Sequence, residues 1–258
     1  MTIPLDQAPF DHALAISDIT EPGLEALLSR LGFFPGNAEV VREDEEVMMH
    51  PVRVRGGKGE VVLGGGMASR VIVHLDDGRR MPLTDMHAGQ RGHIEGTICS
   101  AKLTDVLTTL GLREDGEIVY LRQLPPMDYT VLVGKDKKVR IQEGIAAKIW
   151  GRVGDRHLQF VSSGKGQPFY VEKILGGLHS QASCKEKGIV PGHTIYLQAV
   201  APAQIFKMAA KASVVISTND GLHLHLRPGQ AKHILVTYYQ PDKDLSSFKT
   251  KVNRPIKA

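Results

Sequence analysis

The stretch Leu103-Thr104-Asp105-Val106-Leu107-Thr108-Thr109-Leu110-Gly111-Leu112-Arg113-Glu114-Asp115-Gly116-Glu117-Ile118-Val119-Tyr120-Leu121 decides the fold. Leu103, Val106, Leu107 and Leu110 fall at i, i+3, i+4 and i+7, one apolar face of a short helix. Gly111 follows as its C-terminal cap, because glycine enters the left-handed region without strain. A strand then begins at Glu117. The same phrase occurs earlier: Leu24, Leu27, Leu28 and Leu31 form the stripe, Gly32 the cap, and Glu39-Val40-Val41 the strand. A third version runs Lys187-Gly188-Ile189-Val190-Pro191-Gly192 into Thr194-Ile195-Tyr196-Leu197. Matching Gly36 with Gly116 requires one inserted residue in the middle version.

Working outward, two more phrases recur in the same order. Gly89-Gln90-Arg91-Gly92-His93-Ile94-Glu95 is echoed by Gly166-Gln167-Pro168-Phe169-Tyr170-Val171-Glu172, while the first copy has Phe10 where the opening glycine is expected. Each copy closes on a small-residue turn into an apolar strand: Leu63 to Ala68 into Val71-Ile72-Val73, Ile141 to Ala146 into Ile149-Trp150, and Leu226 to Ala231 into Ile234-Leu235-Val236. Ordered recurrence of this kind marks an internal triplication. Four or five short strands and one early helix per copy predict a mainly β protein of three tandem SH3-like small β-barrels, each with one short inserted helix. Closing a sheet into a barrel removes its exposed edges. The expected domains are 1–78, 79–154 and 155–240, followed by a basic, poorly packed tail, 241–258.

Composition narrows the classes. In 258 residues, 42% are hydrophobic and 23% charged, which excludes a mostly disordered chain, a collagen and a coiled coil. No stretch approaches the roughly 20 apolar residues of a membrane-spanning helix, so the chain is not expected to span a membrane. Met1 to Phe10 has neither a basic nor an apolar leader region, and two cysteines cannot build a disulfide framework; both point to a cytoplasmic protein. A net charge of +4, with scattered Lys and Arg, predicts no nucleic-acid partner.

Copy two resembles the FeoA family of bacterial ferrous-iron uptake. The matching run is Met81-Pro82-Leu83-Thr84-Asp85, Gly89, the leucine-striped helix into Leu110-Gly111-Leu112, Gly116 with its strand, Pro125-Pro126-Met127-Asp128, Val139-Arg140-Ile141, and Gly144-Ile145-Ala146-Ala147-Lys148-Ile149. Copy one carries Leu31 to Gly36, His50-Pro51-Val52-Arg53-Val54-Arg55-Gly56 and Ala68; copy three carries Gly188 to Gly192 and Leu226 to Val236. The resemblance implies an SH3-like barrel without enzymatic activity. It also implies an iron-transport accessory or regulatory role through protein–protein contact, with a FeoB-type membrane transporter as partner. Three copies instead of one, and a third helix whose stripe is replaced by Ser180, Ser183, Cys184 and Lys187, depart from the usual member.

Few residues offer chemistry. His223-Leu224-His225 puts two imidazoles on one face of a strand, since side chains alternate. The pair is a candidate metal half-site, against the alternative of a solvated face with leucines inward; His233 follows eight residues on, and His193 is expected to begin a strand of the same barrel. The cofactor expectation goes no further than a transition-metal ion, Fe(II) or Zn(II), and the second functional reading is a metal-binding or metal-sensing regulator. Missing ligands would come from a homo-oligomer. Cys184 reads as a small buried apolar residue, Cys99 as a packing residue before a helix, and Glu43-Asp44-Glu45-Glu46 and Lys135, Lys137 and Lys138 as solvated turns. No P-loop, H-E-x-x-H, G-x-S-x-G or C-x-x-C is present, so no enzyme is expected.

Overall fold

The computed structural model describes residues 2–36, 39–43, 50–98, 101–203 and 214–239. Its elements fall into three runs of identical order. The first comprises β1 (Ile3–Pro4), β2 (Ala13–Ile19), α1 (Pro22–Arg30), β3 (Glu39–Glu43), β4 (Val52–Gly56), β5 (Gly59–Leu63), α2 (Gly65–Ala68) and β6 (Val71–Leu75). The second comprises β7 (Arg80–Pro82), β8 (Arg91–Thr97), α3 (Ala101–Thr109), β9 (Glu117–Gln123), β10 (Met127–Val133), β11 (Lys137–Gln142), α4 (Glu143–Ala146) and β12 (Ile149–Val153). The third comprises β13 (Arg156–Gln159), β14 (Pro168–Ile174), α5 (Leu178–Glu186), β15 (Thr194–Pro202), β16 (Val214–Thr218), β17 (His223–Leu226), α6 (Pro228–Ala231) and β18 (Ile234–Tyr238). A single 3-10 turn follows β1, β7 and β13. Strand outweighs helix, 46% to 21%, so the protein is mainly β, as expected.

The helix ends explain why three different sequences make one shape. In α1 the Phe33 N–H donates to Leu28 O and the Gly32 N–H to Ser29 O; Leu112 to Leu107 with Gly111 to Thr108, and Ile189 to Cys184 with Gly188 to Lys185, repeat the pair. These are Schellman caps, which satisfy the last carbonyls of a helix with a left-handed residue. Gly32, Gly111 and Gly188 hold φ of 87°, 80° and 79°. The residue after each glycine, Phe33, Leu112 or Ile189, is buried.

Two further left-handed positions correct the sequence alignment. Asp115, at φ 58°, donates its N–H to Ile94 O, as Gly36 does to Ile16 O and Gly192 to Val171 O. Asp115 and not Gly116 is therefore the counterpart of Gly36, and no inserted residue is needed. Likewise Asp11, at φ 56°, bonds Arg42 O where Gly89 and Gly166 bond Tyr120 O and Leu197 O. Aspartate is among the few residues that tolerate this region, because its short side chain can bond locally.

Strand pairing is out of phase with the runs. Sheet 1 has the order β7-β6-β8-β9-β4-β5, sheet 2 β13-β12-β14-β15-β10-β11, and sheet 3 β1-β18-β2-β3-β16-β17, all antiparallel. Each sheet thus combines the first three strands of one run with the last three of the run before, with the third run completing the first. Sheets 1 and 2 are continuous in sequence; sheet 3 is assembled from the two ends of the chain. Among the described residues no pairing joins the outer strands of any sheet, so the hydrogen-bonded order is open and no closed barrel is formed by pairing.

Two compact units result: Met1–Glu46 with Ala212–Ala258, and Val47–Lys211. In the first, sheet 3 buries Leu14, Ile16, Val40, Val214, Ile216, Leu224 and Val236 with Leu24, Leu28 and Leu31 of the α1 segment. In the second, sheet 1 collects Val52, Val54, Leu63, Val71, Val73, Ile94, Ile118 and Tyr120 around Leu107 and Leu110. Sheet 2 does the same with Val131, Ile141, Ile149, Phe160, Phe169, Val171 and Ile195 around Cys184. Phe160 and Phe169 meet edge to face at 5.1 Å. Gln159 joins the two sheets: it accepts from the Val62 N–H at 2.8 Å and donates to Val62 O at 2.8 Å and Ala147 O at 2.6 Å. Val62, Leu124 and Ala147 form a small apolar cluster beside it. A buried amide with three partners is the kind of polar group that an interior accepts.

Candidate functional site

His223 and His225 stand two residues apart on edge strand β17, opposite Ser217 and Val215 of β16, so they share one face. His223 is partly exposed, but His225 is only 3% exposed, as buried as Leu224 and Leu226 on the other face. The solvated-face alternative therefore fails at His225. His233, in the same unit, meets Thr20 Oγ1 through Nδ1 at 3.1 Å. His193 precedes β15 of sheet 2 and belongs to the other unit, not to the sheet of His223. Among the described residues, no group of three or more His, Cys, Asp or Glu is arranged to hold a metal ion.

The Val47–Lys211 unit carries three clusters that the sequence did not signal. The first surrounds Glu143, the opening residue of α4, which is 4% exposed. Burial raises its carboxyl pKa, partly offset by a Met127 backbone hydrogen bond, by the Arg53 charge, by the Tyr129 hydroxyl and by Arg122. Burial also pushes the Tyr129 hydroxyl pKa up, and the Glu143 charge adds to it. Arg53 and Arg122 lie directly opposite each other on β4 and β9, a like-charged pair offset by the carboxylates of Glu143 and of Glu60, the latter 3.8 Å from Arg53. Glu143 is buried, whereas Arg53 is partly exposed and Arg122 exposed, so the group is an ionic cluster that reaches from the interior to the surface.

The second cluster is Lys148, Ser180 and Cys184. The Lys148 ammonium donates to Ser180 Oγ at 3.0 Å. Burial lowers the Lys148 pKa and raises that of the Cys184 thiol. Ser180 and Cys184 are buried, as expected for Cys184, which removes both from solvent-borne substrates. The third is His74 on β6 facing His93 on β8, with ring centroids 5.0 Å apart. Each histidine sits in a different sequence repeat, so only knowledge of the cross-repeat pairing would have joined them.

Surface features match their reading where they are described. Lys135, Lys137 and Lys138 are exposed around the Gly134 turn. Tyr120 is buried, and Trp150 packs partly buried on the core of sheet 1. Cys99, Asp44 to Glu46 and the basic tail (Lys243, Lys249, Lys251, Arg254, Lys257) lie outside the described residues. No helix among the described residues is long and apolar enough to cross a membrane.

No curated protein and no solved structure matches the chain. One family model does, and its domain is an accessory, non-catalytic one associated with ferrous-iron transport. Its bounds fit the structure closely, starting inside β7 and stopping at the last residue of β12: residues 81–153, essentially the whole second run, match the FeoA domain.

Proposed function

We propose that the protein is a non-enzymatic accessory of ferrous-iron transport in the cytoplasm that regulates a FeoB-type transporter by protein–protein contact. The observation that carries this reading is the FeoA match over 81–153. We extend it to three tandem FeoA-like repeats, 1–78, 79–154 and 155–240, each giving three strands to one SH3-like sheet and three to the next. The support is that element order and cap hydrogen bonds repeat in every run, and strand order in every sheet. Three modules on one chain favour avidity: weak contacts become intramolecular once the first is made, provided the partner offers matching sites. The direct test is biolayer interferometry of the full chain against the purified cytosolic domain of a FeoB-type transporter. Saturable binding is expected; absence of binding at tens of micromolar overturns the reading. A second reading, transition-metal binding with Fe(II) or Zn(II) at His223 and His225, draws on their shared face of β17. Loss of bound metal in the paired His223→Gln and His225→Gln variant is its expected mark.

A further inference from the structure

In sheet 1 the pair His74 and His93 stands in one rung that runs across four strands. His74 is opposite Arg80 of β7 on one side and His93 on the other; His93 is in turn opposite Glu117 of β9. Directly opposed residues put their side chains on the same face, about 5 Å apart at Cβ. The two imidazoles are in contact, with planes inclined at 59°, and both are partly exposed. Arg80 does not aim a free positive charge at them, because its guanidinium holds Glu95 Oε1 at 3.3 Å. Glu117 brings a carboxylate to the far end of the rung.

The spacing suits a shared ion. With metal–nitrogen bonds of about 2.0–2.1 Å and tetrahedral angles, two imidazoles on one zinc place their ring centres about 5 Å apart. The observed separation is 5.0 Å. The rung is not a general feature of the fold. At the equivalent place sheet 2 has Arg152 opposite Tyr170, the guanidinium lying 5.0 Å over the ring, and sheet 3 has Thr237 opposite Ala15.

We propose that His74 and His93 form a two-imidazole site for one divalent transition-metal ion of the Zn(II), Ni(II) or Cu(II) class, the ions that imidazole favours. Since no third His, Cys, Asp or Glu among the described residues completes a cage, water fills the remaining positions and leaves the ion open to an outside donor. The site is independent of the transporter reading and distinct from His223 and His225.

The test is titration of Zn(II) and Ni(II) into the untagged full chain at pH 7.5 by calorimetry. It is run beside His74→Gln, His93→Gln and the paired His223→Gln and His225→Gln variant. The wild type and the β17 variant are both expected to keep the sheet 1 equivalent, whatever happens at β17, while each sheet 1 variant loses about tenfold or more in affinity for it, half the protein ligands being gone. Equal titrations for wild type and both sheet 1 variants overturn the site and leave a ring contact only. Should a variant melt early without metal, substoichiometric Cu(II) in the wild type decides: broadening of the His74 and His93 ring resonances first supports the site, and broadening of other histidines first overturns it.

Discussion

Helices α3 and α5 occupy the same place in sheets 1 and 2, yet their inner faces have opposite characters. The α3 segment buries Val106, Leu107 and Leu110; α5 buries Ser180 and Cys184, and leaves Leu178 75% exposed. Both are nine residues long and both end in the same two-bond glycine cap. The comparison teaches that the cap and the strands on either side determine where this helix lies, while the stripe determines how strongly it is held. In α5 part of the missing apolar contact is replaced by the Lys148–Ser180 hydrogen bond.

The largest test of that contrast is truncation at the matched core position. Leu107→Ala should cost about 3 kcal/mol, because it opens a cavity in a packed core. Cys184→Ala, which removes one buried sulfur, should cost about 1 kcal/mol. Urea unfolding of both variants checks the ratio, and equal losses would mean that the stripe is not what separates the helices. The contrast extends to the strand that opens each sheet. Gln159→Leu strands the N–H and C=O of Val62 and the Ala147 carbonyl, and should cost about 2–3 kcal/mol. Hydrogen exchange at the Val62 amide, faster in the variant, localises the loss.

A smaller difference is expected at the caps. Alanine in the left-handed region costs about 1 kcal/mol. Gly188→Ala should show that alone, since its nearest new neighbours are at 3.4 and 3.5 Å. Gly111→Ala should cost more, because the added methyl meets Lys58 Cβ at 2.5 Å. Melting temperatures of the two variants rank them. The smallest effect concerns pH. Burial lowers the Lys148 pKa, so the folded protein binds fewer protons than the unfolded chain just below the ordinary lysine range. Stability therefore gains as pH rises through that window, from the lowered value towards 10.5. Lys148→Met should abolish this gain, which paired denaturation curves at pH 7 and 10 would show.

Much of this architecture is written in local signals. Glycine caps, leucine stripes and alternating strands are short-range features, and the three runs of elements follow them in order. Asp11 and Asp115 were missed because a search for glycine assumes that only glycine turns left-handed. Nothing local distinguishes β4 pairing with β9 from β4 pairing with β3, since the two partners are chemically alike, being the equivalent strands of successive repeats. The phase of the sheets was therefore illegible, and with it the meeting of His74 and His93. The burial of His225 was hidden for a related reason: alternation tells which residues share a face, not what covers that face.

The assembly of sheet 3 from both chain ends has a consequence for biosynthesis. Strands β1, β2 and β3 are synthesised well before their partners β16 and β18. Sheets 1 and 2, whose strands are contiguous, are complete before the last strands of sheet 3 are made, and domains tend to fold as units as they emerge. Until β16 and β18 emerge, β2 and β3 have only each other to pair with, and the edges that those two strands cover stay open.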